Sequence, residues 1–432
     1  MVSTPALHTD RYELTMLAAS LASGTAHKEA VFEVFARKLP PGRGYGVVAG
    51  INRLLDKIEQ FTFSDEQLTY LLATGAIDEA TRDYLTDWRF RGTIRGYRDG
   101  ELYFPHSPVL TVESTFADAV ILETLVLSVL NHDSAIASAA ARMVTAARGR
   151  TLIEMGSRRT HEEAAVSAAT AAYMVGFDAS SNLEAGLTYG IPTVGTSAHA
   201  FTLAHTSEVE AFTAQVAQLG KSTTLLVDTY DIEQGIKNAV AVAGVELGAI
   251  RIDSGDPAEE AAKARELLDE LGVTQTKIVT TGDLDEYAME SLADEPIDTY
   301  GVGTRLVTGS GHPTAGFVYK LVAIADRRGA PMRPVAKKSA NKASQGGRKL
   351  AFRQYNSAGH AAGESIIIRH TLEGLVEPGR ALQVVMWDET GRTHHATPDQ
   401  ARAHHAHVKA ELPAMATALH PTGPYLEATL DH

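Results

Sequence analysis

The chain contains no cysteine. That absence rules out disulfides, thiolate catalysis and cysteine-ligated zinc together. Positive charge is also scarce: 39 Lys and Arg stand against 53 Asp and Glu, for a net charge of −14 over 432 residues. A general affinity for nucleic acid would need a basic face, so that partner class is not expected. Long apolar runs are missing too. The longest, around 119–130, is interrupted by Glu123 and Thr124, and reads as too short and too polar to span a bilayer. The N-terminus shows no basic-then-apolar leader, so the expected location is cytoplasmic, without a membrane partner. What remains, 44% hydrophobic and 21% charged residues, is the composition of a globular protein of two or three domains.

From residue 151 to about 306 one unit recurs: a short apolar strand, a polar loop and a capped amphipathic helix. Thr223 to Asp228, Ala249 to Asp253, Lys277 to Thr281 and Asp298 to Val302 read as strands, with Thr151 to Met155 and Ile191 to Val194 upstream. Asp231 precedes Gln234 by three residues, and Asp256-Pro257-Ala258-Glu259 combines N-cap, N1 proline and N3 glutamate; both open helices. Strands at this spacing describe βα units and a parallel sheet, and so many in succession favour an irregular TIM-like α/β barrel. The flanks read as an α+β domain built from both chain ends. The expected division is 1–115 and 326–432 for that domain, with 116–325 for the barrel. Residues 117–148 read as helical, with a break near Asn131 to Asp133.

In such a barrel the chemistry gathers on the loops after the strands. Gly195-Thr196-Ser197-Ala198-His199 is the most informative of these. A histidine delivered there titrates near neutral pH or attacks phosphorus through its neutral ring. Asp253-Ser254-Gly255-Asp256 offers two carboxylates and a hydroxyl for Mg²⁺ or for ribose hydroxyls, although Asp256 also serves as a helix cap. Thr281-Gly282-Asp283 and Gly301-Val302-Gly303-Thr304 put glycine where backbone N–H groups approach a phosphate. Arg158-Arg159 suits carboxylate or phosphate recognition. Nine Lys or Arg fall between Arg327 and Arg353, a loop fit to clamp a polyanion such as pyrophosphate or ATP. The histidines His404, His405 and His407 lack an i, i+4 ligand spacing and are not read as a metal site.

Together these motifs resemble the nicotinate phosphoribosyltransferase family over nearly the whole chain. The resemblance rests on 9–16 (Thr-Asp-Arg-Tyr-Glu-Leu-Thr-Met), on Phe35-Ala36-Arg37-Lys38-Leu39-Pro40, and on Ser181-Asn182 followed by Gly190-Ile191-Pro192 and 195–199. Residues 251–256, 301–304 and 338–349 follow in order. It implies a type II phosphoribosyltransferase fold and a homodimer with shared active sites. The implied reaction joins nicotinate to phosphoribosyl pyrophosphate, giving nicotinate mononucleotide and pyrophosphate, with ATP hydrolysed through a phosphohistidine at His199, in salvage towards NAD. By the same resemblance Asp253 serves the ribose or its cationic centre, Arg251 meets the nicotinate carboxylate, and Tyr12 stacks on the pyridine ring in trans. Met155 stands where many relatives carry an aromatic against that ring. Gly282, Gly303 and Thr304 are the implied 5′-phosphate contacts. Asp283, Gly301, Arg37, Arg158, Asp256, Lys338 and Lys349 are expected around phosphoribosyl pyrophosphate and ATP. Mg²⁺ is the expected cofactor, with Asp253 or Asp256 as its candidate ligands, and no zinc. Ser181 stands where the nicotinamide-using relative has an acidic residue, which favours the acid as substrate. A transferase for nicotinamide or quinolinate and a non-catalytic phosphoribosyl pyrophosphate sensor are the alternatives.

Overall fold

A computed structural model describes residues 4–337, 345–368 and 379–431. The chain forms two compact units, one from Met1–Ser138 with His312–His432 and one from Ala139–Gly311. The divisions expected at 115/116 and 325/326 both fall inside the first unit. The reason is strand pairing: Phe317–Ala325 lies antiparallel beside Glu29–Ala36, with Phe32 opposite Leu321 and Phe35 opposite Val318. Strand Glu29–Ala36 pairs on its other side with Leu110–Thr115. A seven-stranded sheet thus draws on both chain ends, and a four-stranded sheet around Lys349–Tyr355 and Ala361–Ile368 completes the strands of this unit's C-terminal part.

The second unit holds six strands in the order Ala179–Ser180, Thr151–Glu154, Thr299–Val302, Lys277–Gly282, Ala249–Ile252, Thr224–Leu226. All their pairings are parallel. The expected strand at Ile191 to Val194 reduces to one bridge between Thr193 and Ser180, because Pro192 carries no N–H to extend a ladder. Among the described residues no backbone ladder joins that segment to Thr224–Leu226, so the sheet is a half-barrel by its hydrogen bonds. The caps read from the sequence are in place. Asp231 accepts the N–H of Gln234 at 2.8 Å and opens Ile232–Ala243. Asp256 accepts from Ala258 and Glu259, both at 3.0 Å, and opens Pro257–Glu270.

The helix break expected near Asn131 to Asp133 is absent. Helices Phe116–Val120 and Glu123–Ala147 divide at 121–122 instead. The polar residues inside the long helix are satisfied by tertiary partners and do not compete with its backbone. Asn131 bonds both the N–H and the C=O of Phe317, and Asp133 pairs with Arg53 at 2.8 Å. By length and composition the segment Phe116–Ala146 could cross a membrane, contrary to the reading of its sequence. With 67% of its apolar window buried, it is placed as a core helix. His404 and His405 are also structural: His404 Nε2 meets Glu101 at 3.0 Å, and the buried His405 bonds the carbonyl of Gly100 through Nδ1.

Helix Arg11–Ser23 is pinned to the start of the long helix by the buried Glu13. Its carboxylate accepts the N–H of Thr124 at 2.8 Å and the hydroxyls of Thr124 and Thr9. Burial pushes this carboxyl from 4.5 up to about 7, against the lowering effect of those hydrogen bonds. A native pKa above the unfolded value means that the folded chain holds the proton longer, so stability falls as pH rises through that window. Glu13→Gln has no such window. Its Tm relative to wild type is expected to rise by a few degrees between about pH 4.5 and about pH 8, as read by thermal unfolding in matched buffers. A constant difference would exclude a buried, titrating Glu13.

Candidate active site

The strand Thr224–Leu226 runs out just before Asp228, whose side chain is completely buried. Its Oδ1 lies 3.0 Å from Nε2 of His199. Its Oδ2 accepts the N–H of Asp253 at 2.8 Å and the hydroxyl of Ser254 at 2.7 Å. One carboxylate therefore holds the histidine loop and the Asp253 loop together. A carboxylate only accepts, so Nε2 is the donor of this bond, an arrangement that in the neutral ring leaves the lone pair on Nδ1. His199 opens the short helix His199–Leu203 and its side chain remains 40% exposed, open to a reactant.

Arg251 and Asp253 extend this cluster. An Arg251 Nη donates to the hydroxyl of Thr196 at 3.0 Å, while its buried Nε has no acceptor among the described residues. Burial draws the guanidinium pKa down, whereas Asp253 and Asp228 pull it back up. An arginine in such a place keeps its charge, and the spare donor suits an incoming anion. Asp253 Oδ1 accepts from Thr281 Oγ1 at 2.5 Å. Thr281 precedes Gly282 and the exposed Asp283 at the end of strand Lys277–Gly282. Asp256 is committed to its cap.

On the other side of the sheet Met155 donates its N–H to Val302 at 2.7 Å. Its side chain lies against Gly301, where a Cβ would fall 2.8 Å from the sulfur and 2.5 Å from Thr281. Gly303 borders the backbone of Met155, and Thr304 starts the helix Thr304–Val307. Ser181 is exposed and donates its N–H to the Glu154 carbonyl at 2.8 Å. Arg158 is exposed on the same loop set. Its charge is felt at Arg251, where it opposes the second cation.

Tyr12, Arg37 and Lys349 belong to the other unit. Tyr12 is 46% exposed. The Arg37 guanidinium lies 5.9 Å from the Phe35 ring centre, and its buried Nε has no acceptor among the described residues. Lys349, expected to face an anionic substrate, is instead 5% exposed; its Nζ bonds both oxygens of Glu33 at 2.9 Å and the carbonyl of Gln345 at 2.8 Å. Lys338 lies outside the described residues. Among them, no cluster of three or more His, Asp or Glu is set to hold a metal ion. Sequence reasoning gave no site role to Asp228 or Glu154, and named Thr281 only as part of a phosphate loop. A signal for Asp228 existed: Leu225-Leu226-Val227-Asp228 repeats the apolar-strand-then-aspartate pattern of Ile250-Arg251-Ile252-Asp253.

A parallel sheet with a histidine, buried carboxylates, arginines and glycine turns at the carboxyl ends of its strands defines the class first: an α/β protein with its chemistry on that rim. The particular family follows from comparison. Residues 7–131 match the nicotinate phosphoribosyltransferase (NAPRTase) N-terminal domain, and 151–357 match the nicotinate phosphoribosyltransferase (NAPRTase) family. Nicotinate phosphoribosyltransferase pncB1 of Mycobacterium tuberculosis is 58% identical over 384 residues, covering 87% of this chain and 84% of that protein. The nicotinate phosphoribosyltransferase of Bacillus subtilis is 38% identical over 365 residues, covering 82% and 74%. The crystal structure of human nicotinic acid phosphoribosyltransferase superposes with a TM-score of 0.84 at 24% identity, covering 98% of this chain and 97% of that one, and so shares the fold. The chain belongs to the nicotinate phosphoribosyltransferase family.

The close approach at Gly156 gives a direct check on this geometry. A Cβ there would lie 2.2 Å from Val307 Cγ1, 3.0 Å from Glu154 Oε1 and 3.2 Å from the Gly303 carbonyl. Gly156→Ala is expected to destabilise the protein by about 1–3 kcal/mol in urea unfolding. An unchanged midpoint would show that the 155–157 loop does not pack against Gly303 as described.

Proposed function

We propose that the protein transfers a phosphoribosyl group from phosphoribosyl pyrophosphate to the ring nitrogen of nicotinate, coupled to ATP hydrolysis, in salvage towards NAD. The observation that carries this reading is the Asp228 carboxylate, which joins the imidazole of His199 to the Asp253–Ser254 loop. The names and identities of the relatives support the substrate.

In the ATP half-reaction Nδ1 of His199 attacks the γ-phosphorus. The N–P bond forms, the bond to the β,γ-bridging oxygen breaks, and ADP leaves. Asp228 holds the ring by Nε2–H and stabilises its charge. Water later cleaves the N–P bond and releases phosphate. In the transfer step the pyridine nitrogen attacks C1 of the ribose and pyrophosphate departs. Cationic character grows on the sugar, so positioning and electrostatics matter more than a strong base. Asp253, which accepts from Thr281, meets that charge or the ribose hydroxyls in this reading. Arg251 takes the nicotinate carboxylate, and the neutral Ser181 leaves it unopposed. Met155 and a partner subunit's copy of the Tyr12 ring flank the pyridine.

Gly282, Asp283, Gly301, Gly303 and Thr304 line the phosphate loops. Arg37, Arg158, Lys338 and Lys349 serve pyrophosphate or ATP, for which Lys349 must exchange its bond to Glu33. With few carboxylates at the strand ends, Asp253 and the exposed Asp283 among them, the donor set fits Mg²⁺ held mainly by phosphate oxygens; the ion would neutralise the leaving pyrophosphate. The His199–Asp228 bond joins the loop after Thr193 to the loop after the edge strand Thr224–Leu226, which supports a barrel closed by side chains. Leu183 and Leu187, 77% and 84% exposed on one face of helix Leu183–Tyr189, support a homodimer.

Product formation from nicotinate and phosphoribosyl pyrophosphate with Mg²⁺, with and without ATP and with nicotinamide in parallel, tests the reading. Nicotinate mononucleotide formed faster with ATP is expected. His199→Ala is expected to retain a slow transfer that ATP does not accelerate. Product from nicotinamide would overturn the specificity argument, and equal ATP stimulation in the variant would overturn the role of His199.

A further inference from the structure

Glu154 is a fully buried carboxylate at the end of strand Thr151–Glu154 that the proposed chemistry does not use. Its Oε2 accepts the hydroxyl of Ser180 at 2.5 Å, and its Oε1 accepts the N–H of Gly156. The same Ser180 oxygen accepts the N–H of Asn182 at 2.9 Å. The Glu154 carbonyl takes the N–H of Ser181 at 2.8 Å, and Asn182 reaches across to the hydroxyl of Ser157 at 3.0 Å. Two loops from neighbouring strands, 155–157 and 180–182, therefore hang from one residue. They carry Met155 and Ser181.

We propose that Glu154 is a positioning residue for the nicotinate side of the site, holding Met155 and Ser181 in one frame beneath the pyridine ring. The proposal rests on the nicotinate-transfer reading above. Among the described residues no lysine or arginine bonds this carboxylate. Burial pushes its pKa up, against the opposing effect of those bonds. A residue with this task acts on one substrate and not on the other: its loss misplaces the ring pocket, while the phosphoribosyl donor keeps Asp253, Gly282 and Thr304.

Steady-state kinetics of wild type, Glu154→Ala, Glu154→Gln and Ser180→Ala, with each substrate varied in turn, test this. Glu154→Ala is expected to raise KM for nicotinate by about tenfold or more while KM for phosphoribosyl pyrophosphate stays within about twofold. Glu154→Gln keeps an acceptor for Gly156 and is expected to recover most of the loss. Ser180→Ala, which removes one hydroxyl, is expected to shift the same KM in the same direction by less. It serves also if the alanine variant at 154 does not fold. Equal changes in both KM values, or a loss of Tm with both KM values unchanged, would overturn the proposal. Inactivity of the wild type with nicotinate would instead overturn the reading on which it rests.

Discussion

At the rim of the parallel sheet the His199 loop and the Asp253 loop both depend on the hydrogen bonds of one buried carboxylate. Asp228 has no exposed side-chain surface, and its two oxygens hold three donors from two loops. A buried acceptor of this kind stabilises modestly when its bonds are made. Removing it costs more, about 1–3 kcal/mol for any donor left both buried and unpaired. The site is thus built so that the His199 and Asp253 loops are fixed together or not at all. That coupling suits the proposed reaction, in which phosphorylation on one loop would be felt by the sugar chemistry on the next.

The same device appears elsewhere in the molecule. Glu154 hangs two loops from one strand end, and Glu13 pins helix Arg11–Ser23, which carries Tyr12. Glu33 holds Lys349, burial raising its pKa and the ammonium lowering it. In each case a carboxylate inside the protein is matched to donors from segments distant in sequence. Buried charge of this kind contributes little to net stability beside well-packed apolar residues. It does fix which segments meet, and these segments carry the expected substrate contacts.

Much of this was legible in the sequence, because caps and periodicity are local. Asp231 and Asp256 both cap helices where their spacing to Gln234 and Glu259 placed them. Strands Ala249–Ile252 and Lys277–Gly282 lie within a residue of where their apolar runs put them. Tertiary satisfaction was not legible. Asn131 and Asp133 looked like breakers because Phe317 and Arg53, which satisfy them, are remote in sequence. Lys349 looked like a free cation because Glu33 is more than three hundred residues away. Asp228 passed as the polar end of a strand, since nothing local says which loops it will hold.

A double-mutant cycle on His199 and Asp228 tests the central claim most directly, with the kcat/KM measured in the presence of ATP as the readout. If Asp228 works through the ring of His199, His199→Ala with Asp228→Asn will be little worse than His199→Ala alone, because groups that act as a unit are strongly non-additive. Losses that multiply across the two sites would mean that they act independently, and would contradict the account.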